Sequence, residues 1–149
     1  MYYKALFFLF VLLSASTYAE SLTLNTNNKN ISISTETLRK LPIHKIKTST
    51  NYTSTAIFSG VRFSDLFKLY DIKGNKIRIY ALDDYSYSIS IDELYKYNAI
   101  LAYLKDGEKI KTSELGPFVS IFPRDDHPEL KKFDVDAKTV WQISRIEVK

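Results

Sequence analysis

The sequence predicts a β-rich α+β domain. Apolar segments of strand length outnumber helical ones, and the helical stretches are short. They are scattered between strands rather than alternating regularly with them, which argues against a βαβ sheet. Polar residues, glycines and prolines stand where turns are needed.

Ser21-Leu22-Thr23-Leu24 and Asn30-Ile31-Ser32-Ile33 read as short strands around an Asn-rich turn. Ser34 is a suitable N-cap for a short helix that must stop near Pro42. Residues 44–49 alternate as a strand does, and residues 50–55 are a polar loop. After Gly60, residues Phe63, Leu66, Phe67 and Tyr70 share one helical face. Gly74-Asn75 ends that helix and leads into a strand carrying Ile77, Ile79 and Ala81 on one side. Tyr85, Tyr87, Ile89 and Ile91 then alternate over serines, the mark of a half-buried strand. Residues 92–97 make one or two helical turns. Residues 100–104 form an almost continuous apolar run, as in a central strand, and Asp106-Gly107 is a hairpin turn into Lys109-Ile110. Residues 118–122 give another strand, ended by Pro123. Residues 140–148 close the domain, and their apolar spacing slips between Ile143 and Ile146 as at a β-bulge.

The start of the chain reads differently. Lys4 supplies a positive n-region, Ala5 to Leu13 an apolar h-region, and Thr17-Tyr18-Ala19 a cleavage site before Glu20. Residues 1–19 thus read as a secretory signal peptide, leaving 20–149 as one exported domain, periplasmic or secreted. A membrane anchor is the alternative, but the apolar run is shorter than the ~20 residues a spanning helix needs. The formal net charge of +4 is small, with lysines and acids interspersed, so nucleic acid is not an expected partner. There is no cysteine, hence no disulfide, and packing must supply the stability.

Catalytic patterns are sparse. His44 and His127 are the only histidines, and neither has a partner at metal-ligand spacing. Asp125-Asp126-His127, followed by Asp134 and Asp136, could hold a hard cation or be a solvated loop between Pro123 and Pro128. No Gly-x-Ser-x-Gly elbow is present, and four glycines cannot build a glycine-rich phosphate cradle. The expectation is no catalytic residue and no metal.

Certain segments recur in an informative order: Gly60-Val61-Arg62-Phe63, Ala81-Leu82-Asp83-Asp84-Tyr85, Leu101-Ala102-Tyr103 with Asp106-Gly107, Leu115-Gly116-Pro117, and Trp141-Gln142-Ile143. From Phe58 to Val148 the series resembles the molybdopterin-binding domain of the sulfite oxidase superfamily. The resemblance implies a mixed-sheet core with small helices. Catalytic members hold molybdenum through a cysteine, whose place falls close to Thr48 in Lys47-Thr48-Ser49-Thr50. A neutral hydroxyl cannot replace a thiolate as a soft anionic ligand. Members also carry a histidine before the Gly-Pro pair and an arginine after it, where this chain has Leu115 and Phe118-Val119. Cationic partners for a cofactor phosphate are thereby missing, and molybdenum is not expected.

What the resemblance leaves is a pocket for a pterin-like ligand. A carboxylate can accept two hydrogen bonds from a pterin's amino-pyrimidinone edge, an arginine can donate to its oxygen, and aromatic rings can cover its face. Thr48 and Thr50, Asp84-Tyr85 and Arg124-Asp125 are the candidate ligand residues; Trp141 could stack on the ligand or fill the core. Small exported members without the cysteine are similar to periplasmic pterin-binding proteins that regulate membrane-bound cyclic-di-GMP enzymes. The function so implied is non-catalytic ligand binding that acts on the periplasmic domain of a membrane sensor. A molybdopterin-dependent oxidoreductase with altered ligands and an interaction module with a vestigial pocket are the competing readings.

Overall fold

The computed structural model describes residues 20–130 and 133–149; the expected signal peptide lies outside the described residues. Two five-stranded sheets carry the fold. The first is built from β1 (Ser21–Asn25), β2 (Asn30–Ser34), β5 (Lys76–Ala81), β6 (Ser86–Ser90) and β10 (Ile143–Val148), in the order β2-β1-β10-β5-β6. Its β1–β10 pair is parallel and its other pairs are antiparallel, so this sheet is mixed. The second contains β3 (His44–Thr48), β4 (Ala56–Arg62), β7 (Ile100–Lys105) and β8 (Glu108–Lys109), with β9 (Val119–Ile121) also paired to β7.

Short helices occupy the connections. Helix α1 (Thr35–Leu38) starts at Ser34, whose side chain accepts from the Thr37 N–H at 3.2 Å, the N-cap its sequence predicts. Helix α2 (Phe63–Leu69) buries Phe63, Leu66 and Phe67, and α3 (Ile91–Lys96) buries Ile91 and Leu94. Helix α4 (Phe133–Lys138) was not evident in the sequence, because its acids at 134 and 136 read as loop.

The larger core gathers one face of each sheet: Leu24, Ile79 and Ile146 from the first, Val61 and Leu101 from the second. A smaller core lies on the other face of the second sheet, with Phe58, Ile100, Ala102, Val119 and Ile121. Strand β7 is therefore buried on both sides, which is why residues 100–103 lose the polar alternation of a half-exposed strand. Between β4 and β7 the register slips at Ser59/Gly60, and Tyr103 is the extra residue. A Cβ on Gly60 would collide with the Leu101 and Ala102 backbone, so this close approach requires glycine. The expected slip in β10 is present: Ile143 pairs with Ala81 and Arg145 with Tyr80, leaving Ser144 as the bulge residue.

Of the four connections between the sheets, the one from β9 to β10 runs along the second sheet before it enters the first. Before entering β10, the chain passes alongside β9, where Ser120 N–H donates to the Val140 carbonyl at 3.0 Å. The wholly buried Ser120 hydroxyl donates to the Lys138 carbonyl at 2.6 Å and accepts from the Val140 N–H at 2.9 Å. Ser120→Ala strands both backbone groups away from water, and should cost about 1–3 kcal/mol in a denaturant or thermal melt. An unchanged midpoint would show that water replaces the hydroxyl.

Candidate functional site

A cavity of about 470 Å³ opens where that joining segment meets the strand ends. This lies within the ~300–1,000 Å³ range typical of small-molecule sites. Its walls come from four places: Asn51 and Tyr52 on the loop after β3, Ala81, Asp83 and Tyr85 at the β5–β6 turn, Leu115 before Gly116, and Asp136, Ala137, Thr139, Trp141 and Gln142 from α4 onward. Among the described residues the lining contains three aromatic rings and two carboxylates, Asp83 and Asp136, and no lysine, arginine or histidine.

Gln142 ties these walls together. Its backbone N–H donates to the Leu115 carbonyl and its own carbonyl accepts from Leu82 N–H, both at 3.0 Å. Its side-chain amide donates to the Thr112 carbonyl, also at 3.0 Å. The bonding needs a left-handed backbone, and Gln142 (φ 50°), Leu115 (φ 68°) and Asp84 (φ 66°) all adopt it. Asp71, Asn98 and Asp106 adopt the same conformation at turns away from the cavity, so these left-handed residues shape the walls without by themselves marking the site.

Tyr85 and Trp141, among the expected ligand residues, line the cavity. Tyr85 donates its hydroxyl to the Ala137 carbonyl at 3.0 Å. Burial first, then the nearby Tyr87 and Tyr52 phenols, push its pKa up, so it stays a donor. Trp141 is 7% exposed and packs in the smaller core, edge to face with Phe58 and Tyr52, ring centres 6.1 Å apart in both cases.

Arg124, Asp125 and Thr48 stand behind the wall. Arg124 donates to Asp136 at 2.7 Å and so holds a lining carboxylate. Asp125 accepts from the Ser49 N–H and hydroxyl, each at 2.8 Å, and its own N–H donates to the Thr48 hydroxyl at 3.2 Å. Thr48 is thus buried and engaged rather than presented to a ligand. Thr50 accepts from the Tyr52 and Thr53 N–H groups and shapes the loop that carries Tyr52. Asp84 is an exposed turn residue; its neighbour Asp83 lines the cavity instead, accepting from Tyr85 N–H at 3.1 Å.

Asn51, Tyr52, Asp136 and Gln142 also line the cavity and were not foreseen. Gln142 stands in the Trp141-Gln142-Ile143 segment and Asp136 in the acidic cluster, but neither reads as a ligand residue, because only the pairing of loops distant in sequence brings them to one cavity. Leu115, at the place where the family resemblance expects a histidine, is in the wall. Phe118 and Val119, at the place of the expected arginine, are fully buried core residues. The two histidines serve elsewhere: His44 pairs with Asp65 at 3.1 Å, and His127 with Glu129 at 3.4 Å. Among the described residues no group of three His, Cys, Asp or Glu could hold a metal ion.

Lys138 anchors the cavity's helical wall. Its ammonium donates to Glu93 of α3 and to Asp134 at 2.7 Å within α4. Burial alone would favour the neutral amine, but the two carboxylates outweigh it and raise the pKa above the ordinary 10.5. A pKa raised by folding contributes stability that is complete below the unfolded value and lost as pH climbs through the folded one. The stability difference between wild type and Lys138→Met should therefore shrink as pH rises beyond 10.5, followed by urea melts across that range. Separately, Asp125→Ala should free the 49–55 loop and cost about 1–3 kcal/mol, seen as faster proteolysis there and a lower melting point.

Residues 16–124 match the family described as the oxidoreductase molybdopterin binding domain. No curated protein matches the chain. Among solved structures the fold is similar to the sulfane dehydrogenase SoxCD from Paracoccus pantotrophus, with a TM-score of 0.64 at 15% identity. That likeness covers 86% of this chain and 37% of the other, so the chain spans little more than a third of that protein's length. At this identity the likeness establishes the fold. The sequence match goes further: this chain belongs to the oxidoreductase molybdopterin-binding domain family.

Proposed function

We propose that the chain is an exported, non-catalytic binding protein for a pterin-like ligand, and that it passes ligand occupancy to the periplasmic domain of a membrane sensor controlling cyclic-di-GMP. The observation that carries this reading is the cavity's lining: rings of Trp141, Tyr52 and Tyr85, with carboxylates at Asp83 and Asp136. Such a lining suits a planar, uncharged heterocycle that offers hydrogen-bond donors at one edge.

The same donor set does not fit the family's metal-bearing cofactor. The chain has no thiolate to hold molybdenum, and Thr48, at the corresponding place, is bonded to the 125 backbone. Among the described residues no cation lines the cavity, and Arg124 is committed to Asp136, so a phosphate would meet two carboxylates and no compensating charge. Export rests on the reading of residues 1–19, and the sensor rests on the resemblance to periplasmic pterin-binding regulators. An exported binder without chemistry of its own can report a metabolite by touching a receptor.

A second reading is favoured by the family match itself, whose described members are oxidoreductase domains. Metal analysis and ligand titration separate the two. Protein from its native compartment should carry no stoichiometric molybdenum, and should bind hydroxymethylpterin saturably. Asp83→Asn keeps an acceptor for the Tyr85 N–H but puts a donor where the ligand donates. It should weaken binding by about 1–3 kcal/mol, roughly 5- to 150-fold. Near-equimolar molybdenum with sulfite oxidation or sulfoxide reduction would establish the oxidoreductase instead.

A further inference from the structure

The cavity contains one group whose bonding is incomplete. Trp141 is more than nine-tenths buried, and its indole nitrogen has no hydrogen-bond partner among the described residues. A buried N–H without an acceptor is costly, and each such group calls for a missing partner. Among the described residues Asn25 Oδ1 is the other buried side-chain atom without a partner, and Asn25 does not line this cavity. Several other polar groups of the wall are already engaged: Tyr85 with the Ala137 carbonyl, Asp136 with Arg124, Thr139 with the Val135 carbonyl, and the Gln142 amide with the Thr112 carbonyl.

We infer that Trp141 Nε1–H is the ligand's orienting donor, and that the ligand is a phosphate-free planar heterocycle presenting a carbonyl oxygen to the indole and amine or ring N–H donors to Asp83. The inference rests on the pterin-binding reading and makes it specific in pose and class. Trp141 then serves through its edge rather than as a stacking face, since Phe58 already packs against it inside the core. Tyr52 is the neighbour that must give way. It stands edge to face with the indole at 87°, is 67% exposed, and belongs to a loop shaped by local Thr50 bonds. Turning this ring outward opens the buried nitrogen to a ligand atom without disturbing a strand.

The chain has one tryptophan, so heteronuclear NMR gives a single indole N–H signal that needs no assignment. Two probes suffice: hydroxymethylpterin, and its diamino analogue in which an amine replaces the ring carbonyl. With the pterin the indole proton should move downfield and exchange more slowly with solvent. The analogue presents a donor to a donor, and should bind wild type about tenfold more weakly. In Trp141→Phe, which keeps an aromatic ring and loses the N–H, that preference should narrow by the share the indole contributes, leaving only the part due to the ring N–H that the analogue also lacks. Saturable pterin binding with an unmoved indole signal, or equal affinity of wild type for both probes, overturns the inference and leaves the pterin-binding reading standing. Absence of saturable binding by either probe overturns both. Should Trp141→Phe fail to fold, the wild-type signal and the two-probe comparison still decide.

Discussion

Everything in this molecule depends on how residues 138–143 cross from one sheet to the other. The segment first bonds to the second sheet through Ser120, then to the Leu115 carbonyl through Gln142, and to the Phe118 carbonyl through Ile143. At Ile143 it becomes the central β10 of the first sheet, between β1 and β5. A backbone can serve two ladders in succession only by changing direction, and the left-handed Gln142 makes that change. Polar side chains satisfy the groups that neither ladder reaches, as buried backbone requires.

That crossing also creates the cavity. Strand ends and connecting loops meet where the chain leaves one sheet for the other, and none of them can fill the gap completely. Side-chain bonds hold its walls in different ways. Ser49–Asp125 bonds pin the base of the Tyr52 loop, Arg124 holds Asp136, and Lys138 straps α4 to α3. Several residues that look like ligand groups in the sequence act one layer further out, positioning those that meet the cavity. A charged pair held this way fixes geometry more than it adds stability.

The lining's chemistry separates the family's scaffold from the family's usual contents. Aromatic rings and carboxylates line the space, the chain has no thiolate, and among the described residues no cation reaches the lining. Leu115 and the buried Phe118 and Val119 occupy the places expected for the cationic residues, and their apolar side chains join the wall and core there. A fold can host many functions, so these substitutions weigh more than the architecture when a role is assigned.

Local rules made the elements legible in the sequence. Ser34 could be read as a cap, Phe63-Leu66-Phe67 as a helical face, the run at 100–104 as a central strand, and the slip before Ile146 as a bulge. Each depends on contacts between residues close together, where periodicity and turn chemistry speak directly. Helix α4 escaped because two acids and a short length outweighed its buried Val135. The site was legible only in part: Tyr85 and Trp141 line the cavity, whereas Asp83 does so in place of Asp84. A tight turn with φ 66° at Asp84 decides which carboxylate faces inward, and adjacency in sequence cannot. The sequence by itself determined the β-rich class, most strands and the missing thiolate. Only the tertiary structure decided which loops meet, because their contacts are set by how two sheets share one crossing segment.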